Sequence, residues 1–368
     1  MRIVFRLAEI LEHYRDCGRG LIKRICDHTR LERHQVKALL SNKVRYLSLE
    51  SLAAVCEYLI KRHQVDPATL PGILFGIESG DFVSLLTQRV YVEINQGMRS
   101  DPTLPERRWV TASDSFLYGS LLRELFGLGR HRPQNAPQFF EQRLVSSFPV
   151  QADADDVKQL KHEALWEYNR FHDVARDRAL ICLGSVKSNI LCEMVMAQTF
   201  RAEAFQSQDH AERPTERRCP VYLRYRDNDA HPPSCYGGLQ LARRSRSTTP
   251  GMLYEKADGT WQLIPCTDAE DAALVMYAYR PPLGTLEMVM GGFSGKATQA
   301  MGSKLHSLAT ELWPPQYDRP DLKLGVFLIH FHFGGRKQPQ PEHDDPLSVP
   351  SHYEVIPLQR EVLERRFA

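Results

Sequence analysis

The chain has 368 residues, 42% hydrophobic and 25% charged; this is the balance of a globular protein with a real core, which excludes a largely disordered chain. Its length suits one small domain joined to a larger one. The net charge of +2 hides an asymmetry, because residues 1–65 carry 13 Lys/Arg against 7 Asp/Glu, +6, which leaves −4 for the remainder.

A basic segment ahead of a mildly acidic one fits attraction to nucleic-acid phosphates confined to the N-terminal part. The opening MRIVFRLAEILEHYRDC is broken by charges and has no long apolar run, so neither a secretory leader nor a membrane anchor is expected. Eight cysteines lie scattered without a CxxC pair and read as reduced thiols, so a disulfide framework and a cysteine zinc site are not expected. The expected setting is the cytoplasm, with no membrane partner.

Helical periodicity recurs through the first 75 residues: Val4, Leu7, Ile10 and Leu11; Ile22, Ile25 and Cys26; Val36, Leu39 and Leu40; Leu49, Leu52, Val55, Cys56 and Leu59. The third helix, about Glu32–Leu40, stops at Ser41-Asn42-Lys43, where Asn42 suits a left-handed terminus. The fourth starts at Ser48, an N-cap whose Ser51 lacks the acidic partner of a capping box. A compact all-α module over residues 1–78 follows.

These residues, from RLAEILE through LERHQVKALLSNK to LSLESLAAVCEYL, resemble the lambda-repressor/Cro (XRE) helix-turn-helix family over roughly residues 1–75. The resemblance implies a third helix that enters the major groove of double-stranded DNA. With Val36, Leu39 and Leu40 turned inward, it leaves Arg33, His34, Gln35 and Lys37 toward bases; Arg suits guanine and Gln suits adenine. Lys43 and Arg45, with Arg19, Lys23 and Arg30, are available in this chain as alternative phosphate ligands. The chain departs from the family pattern at Ile22, where a Gln is common, at Arg30, where the turn glycine is usual, and at Glu32, which follows in place of a serine. Because one recognition helix covers only a few base pairs, a homodimer is expected.

Asp66-Pro67 and Leu70-Pro71-Gly72 close the module, and strands then alternate with helices over residues 79–368. Strands are expected at Arg89–Ile94, Ala179–Leu183, Pro220–Tyr225, Met252–Glu255, Thr260–Ile264, Leu274–Tyr279, Leu286–Met290 and Leu324–Phe333, and helices at Ser115–Phe126, Ser188–Phe200 and Lys296–Leu312. The continuous apolar runs ALICL, LVMYAY, LEMVM and LGVFLI are those of strands covered on both faces. A Rossmann-like three-layer α/β domain is expected.

Two strand-to-helix junctions carry the candidate chemistry. Gly184 and Ser185 precede Lys187 and Asn189, and Gly291, Gly292, Ser294 and Gly295 precede Lys296 and Thr298. Glycine turns before a helix let backbone amides approach an anion, and the helix start adds partial positive charge. The eight residues Gly184, Ser185, Asn189, Gly291, Gly292, Ser294, Gly295 and Thr298 are expected to line one pocket for a small anionic or nucleotide ligand; the alternative is that the glycines only turn the chain. Neither segment has the spacing of GxGxxG or of a phosphate-binding P-loop, so no cofactor is assigned.

Ser113-Asp114-Ser115 reads as a helix start, with a polar-site role as its alternative. His330 and His332, with His343, Asp344, Asp345 and His352 following, read as ordinary strand and loop residues, so no metal is assigned. Arg201–Arg218 and the basic ARRSRSTT at Ala242–Thr249 read as exposed loops. The function expected is a sequence-specific DNA-binding transcription regulator whose α/β domain senses a small ligand; the alternatives are a nucleotide- or nucleotide-sugar-processing enzyme carrying a DNA-binding module, and an assembly scaffold. No catalytic set is legible.

Overall fold

A computed structural model describes residues 2–41, 43, 44, 46–68, 70, 74–78, 82–101, 104, 106–126, 139–149, 152–173, 177–206, 218–226, 232–237, 249–334 and 349–367. The chain divides into two compact units: Met1–Gly80 with Arg280–Thr285 and Arg319–Asp321, and the remainder.

The N-terminal unit contains β1 (Arg2–Phe5), α1 (Leu7–His13), α2 (Leu21–Thr29), α3 (Arg33–Leu40), α4 (Leu49–His63) and β2 (Phe75–Glu78). The periodic residues Leu7, Leu11, Ile25, Val36, Leu39, Val55 and Leu59 form its core. The all-α expectation is corrected here, because β1 pairs antiparallel with β2, Arg2 opposite Glu78 through Phe5 opposite Phe75. Val4 therefore belongs to a strand, and its helical spacing to Leu7 is coincidental. A four-residue strand whose partner lies 70 residues away has too short a pattern to be told from a helix start.

Arg30 caps α2 in the left-handed conformation, φ 59°, in the turn position that the resemblance gives to glycine. Glu32 caps α3 and forms a capping box with Gln35, so Glu32 turns toward the helix amides. The Ser48 hydroxyl accepts from the Ser51 amide at 3.1 Å and starts α4 as expected. Asn42 and Arg45 lie outside the described residues.

The second unit is α/β. In chain order it holds α5 (Val83–Thr87), β3 (Tyr91–Ser100), β4 (Arg108–Trp109), α6 (Ala112–Leu125), β5 (Phe139–Ser146), α7 (Ala154–His172), β6 (Arg178–Leu183), α8 (Ile190–Phe200), β7 (Val221–Arg224), β8 (Gly251–Glu255) and β9 (Trp261–Pro265). Then come β10 (Glu270–Arg280), β11 (Thr285–Gly292), α9 (Gly295–Glu311), β12 (Tyr317–Asp318), β13 (Lys323–His332), β14 (His352–Pro357) and α10 (Arg360–Phe367). The sheet runs β12-β13-β10-β11-β6-β3-β4, with β14 also on β13 and β5 also on β3.

Pairs β11–β6, β6–β3 and β3–β5 are parallel, whereas β10–β13 and β13–β14 are antiparallel. The sheet is thus doubly wound only in its parallel part, and β7, β8 and β9 form a separate antiparallel sheet.

Strand alternation explains the layers. Ala179, Ile181 and Leu183 of β6 pack with α6 and α9, through Leu117, Leu121, Ala297, Met301 and Leu305. Leu180 and Cys182 pack on the other face with α7 and α8, through Ala164, Phe171, Leu191 and Val195. All six β6 residues are buried, as a central strand between two helical layers requires. The chain leaving β6 enters α8 on one face, and the chain leaving β11 enters α9 on the other. Neighbouring parallel strands whose connections diverge in this way open a crevice at their carboxyl ends.

Candidate functional site

The crevice holds a cavity of about 360 Å³ lined by Arg99 near the end of β3, Thr111, Ser113 and Asp114 at the start of α6, Gly184, Ser185, Lys187 and Ser188 after β6, Arg226 after β7, and Gly292, Phe293, Ser294, Gly295 and Thr298 around the start of α9. The two glycine turns are therefore neighbours, and six of the eight residues expected at the pocket line it. Asn189 and Gly291 are the corrections.

The Asn189 side chain is fully buried: its amide donates to Asn95 O and Leu183 O, both at 3.0 Å, and its Oδ1 accepts from the Leu191 amide, so it locks β3, β6 and α8 together. Gly291 is a packing glycine, because a Cβ there would fall 2.3 Å from Gly184 O. Gly184 itself has φ +108°, and a Cβ on it would lie 2.2 Å from Ser188 Oγ, so only glycine fits this turn.

The cradle of backbone amides expected from the sequence is largely committed within the protein. Gly184 N donates to Met290 O at 2.7 Å, Phe293 N to Ala272 O at 2.7 Å, and Asn189 N to Ser185 O at 2.8 Å. Ser185 N donates to Ser188 Oγ and Gly292 N to Thr298 Oγ1, each at 3.0 Å. Gly295 N, in the first turn of α9, enters none of these bonds. Short polar side chains satisfy the turns because a buried amide must find a partner.

Positive charge in the pocket comes instead from side chains: Arg99, Lys187 and Arg226. The Lys187 ammonium lies 4.9 Å from the Tyr225 ring centre and 5.2 Å from that of Phe293, a cation held by aromatic faces. Lys296, which follows the second glycine turn, points elsewhere, donating to Asp268 O at 2.6 Å with its ammonium 3.7 Å from the Phe333 ring centre.

Two buried acids border this charge. Asp271 accepts the Ser294 hydroxyl, and burial holds its carboxyl above the ordinary range against that bond and Arg226. Asp114 is 4% exposed. Its Oδ2 is buried with no hydrogen-bond partner, and burial raises its carboxyl, opposed by Thr111 and by the charge of Arg99. A buried carboxylate oxygen without a donor is costly unless a ligand supplies one.

Sequence reasoning missed Arg99, Thr111 and Arg226 as lining residues, which tertiary structure brings in, and passed over Ser188 and Phe293, which lie within the two glycine junctions themselves. Asp114 carried a signal in its helix-start position.

In the N-terminal unit, Arg33, His34, Gln35, Lys37 and Lys43 are all exposed while Val36 and Leu39 are buried. Gln35 Oε1 accepts from the Glu32 amide at 3.0 Å, and His34 Nδ1 lies 3.0 Å from Glu32 Oε2, so two of the four side chains expected to read bases are tied to the cap. Tyr46, 86% exposed, projects from the segment between α3 and α4.

No family model matches the chain, and neither a curated protein nor a solved structure matches it. Among the described residues, no helix is long and apolar enough to cross a membrane.

Proposed function

We propose that the protein is a DNA-binding transcription regulator whose α/β unit binds a small anionic, nucleotide-like ligand. The observation that carries this reading is the pocket at the carboxyl ends of β3, β6 and β11, where Arg99, Lys187 and Arg226 converge beside Asp114. The cations suit a phosphate, and the unpartnered Asp114 oxygen suits a hydroxyl or amino donor on the same ligand. The support for DNA binding is the basic N-terminal unit, its three-residue turn between α2 and α3, and the exposed cations of α3 and Lys43. The DNA-bound form is a homodimer on two half-sites about one helical turn apart.

Mass spectrometry of small molecules retained by the purified protein, followed by calorimetric titration with the candidate found, tests the pocket. Gly295→Leu should abolish binding while leaving the thermal transition of the unliganded protein nearly unchanged, because Gly295 is exposed and an added Cβ would meet only Ser113 at 3.2 Å. Undiminished binding in this variant places the ligand elsewhere. A gel-shift series tests the DNA arm: Arg33→Ala should cost about 1–3 kcal/mol of specific binding and relax sequence preference. Equal selectivity after the change overturns the assignment of α3.

Asp114 favours a second reading, an enzyme that processes a nucleotide or nucleotide sugar, because a buried carboxyl held above its ordinary range suits proton transfer. Turnover of the retained molecule by the native protein but not by Asp114→Asn would select it; binding without turnover selects the sensor.

A further inference from the structure

We infer that Glu270, His330 and His332 bind one first-row divalent cation, zinc by preference, as a staple between β10 and β13. The two strands pair antiparallel with Glu270 opposite His332 and Ala272 opposite His330. Opposed residues, and residues two apart on a strand, share a face, so all three side chains stand together. Their ligand atoms lie within 4.8 Å of one another.

The separations carry the argument. Glu270 Oε1 is 3.4 Å from His330 Nε2 and 3.5 Å from His332 Nδ1. A tetrahedral zinc ion holds nitrogen and oxygen donors at about 2.0–2.1 Å, which sets neighbouring donors about 3.4 Å apart. Both carboxylate–imidazole edges match. His330 Nε2 is moreover buried and makes no well-aligned hydrogen bond, so it faces the carboxylate oxygen across 3.4 Å.

Two imidazoles and one carboxylate form a set that suits zinc, whereas magnesium and calcium demand more oxygens. His352, on β14 opposite His332, stacks on that ring with centres 5.8 Å apart and steadies it. Asp271, next in sequence to Glu270, accepts the Ser294 hydroxyl, so the staple also fixes the strand end behind the pocket.

The test uses the full-length protein, stripped with a chelator and titrated with zinc chloride by calorimetry, with metal analysis of the reloaded sample. One equivalent is expected, with a rise in the thermal transition, and cobalt in its place should give the visible bands of a tetrahedral site. Glu270→Gln and His332→Ala should each weaken binding more than about tenfold and remove the thermal shift, whereas His306→Asn, outside the cluster, should change neither. Glu270→Gln conserves shape and answers even if an alanine variant fails to fold. Absence of saturable zinc binding, or zinc binding unchanged in both variants of the cluster, overturns the site and leaves an ordinary histidine–glutamate pair.

Discussion

Asp16 in the N-terminal unit and Asp114 in the α/β unit are both buried, and their surroundings treat them in opposite ways. Burial pushes the Asp16 carboxyl up, but the Tyr58 hydroxyl at 2.6 Å, Arg24 at 2.6 Å and the charge of His63 together outweigh it and hold it below the ordinary range. At Asp114 burial prevails, the carboxyl is held above that range, and Oδ2 has no partner. One acid is consumed by the fold, joining the segment before α2 to α4. The other is kept by the fold at an energetic cost, which is the pattern of a residue reserved for a ligand.

The largest effect should come from Asp16→Ala. Tyr58 would lose its acceptor in the core, and the change should cost the N-terminal unit about 2–3 kcal/mol, most of it from the Tyr58 bond because the arginine contact is solvent-screened. The lowered carboxyl also fixes the pH dependence. Its contribution is full above the ordinary aspartate range and is lost as the pH falls through the folded-state value. Hydrogen exchange of the full-length protein should show the N-terminal helices losing protection on acidification, and Asp16→Ala should flatten that dependence. Protection that is equal in the two proteins at neutral pH would show that the network adds nothing.

Asp114→Asn should do the opposite, and by less. For a raised carboxyl, the folded state holds the proton more tightly than the unfolded chain, so stability falls as the pH rises through the ordinary range toward the folded-state value. At neutral pH the substitution should therefore stabilise the unliganded α/β unit, by about 1 kcal/mol, and the gain should vanish below the ordinary aspartate range, where both states are protonated. The same variant should bind the pocket ligand more weakly. If Asp114→Asn destabilises the protein at neutral pH, the carboxylate has a structural partner and the contrast with Asp16 fails.

The two units also differ in how much the sequence disclosed. In the α/β unit the runs ALICL and LEMVM are apolar throughout because both faces of their strands are covered, so they are legible without any partner, and the glycine turns after them are legible with them. Their convergence followed from the rule that parallel strands present their carboxyl ends together. Arg99 and Arg226 were not legible, since each reaches the pocket from an element whose neighbours are set by the sheet order. Helix α7 was missed although Asp153 and Asp156 form a capping box at its start, because its buried positions Leu160, Ala164 and Phe171 are spaced thinly among charges. In the N-terminal unit helical spacing located most of the core, but Leu49 is 82% exposed and Val4 belongs to a strand, while β1 and β2, which pair with each other across the length of the module, had no local signature.

The smallest expected effect tests the N-terminal unit for the same trade between stability and function. Arg30 holds the left-handed conformation at the end of α2, which costs a side-chain-bearing residue about 1–2 kcal/mol. Glycine removes that strain but adds freedom to the unfolded chain, worth about 0.4–1 kcal/mol in the other direction. Arg30→Gly should therefore stabilise α2 and α3 by about 0.5 kcal/mol net, read as slower hydrogen exchange across the turn in the full-length protein. A turn glycine would be the better choice for folding alone, and the exposed Arg30 cation between two helices suits a DNA phosphate. The variant should bind all sequences more weakly and lower the slope of log affinity against log salt by about one, while Arg33→Ala changes sequence preference. A variant that is stabilised yet keeps the full salt slope would show that the turn does not face DNA, and the charge at position 30 would have no function in binding.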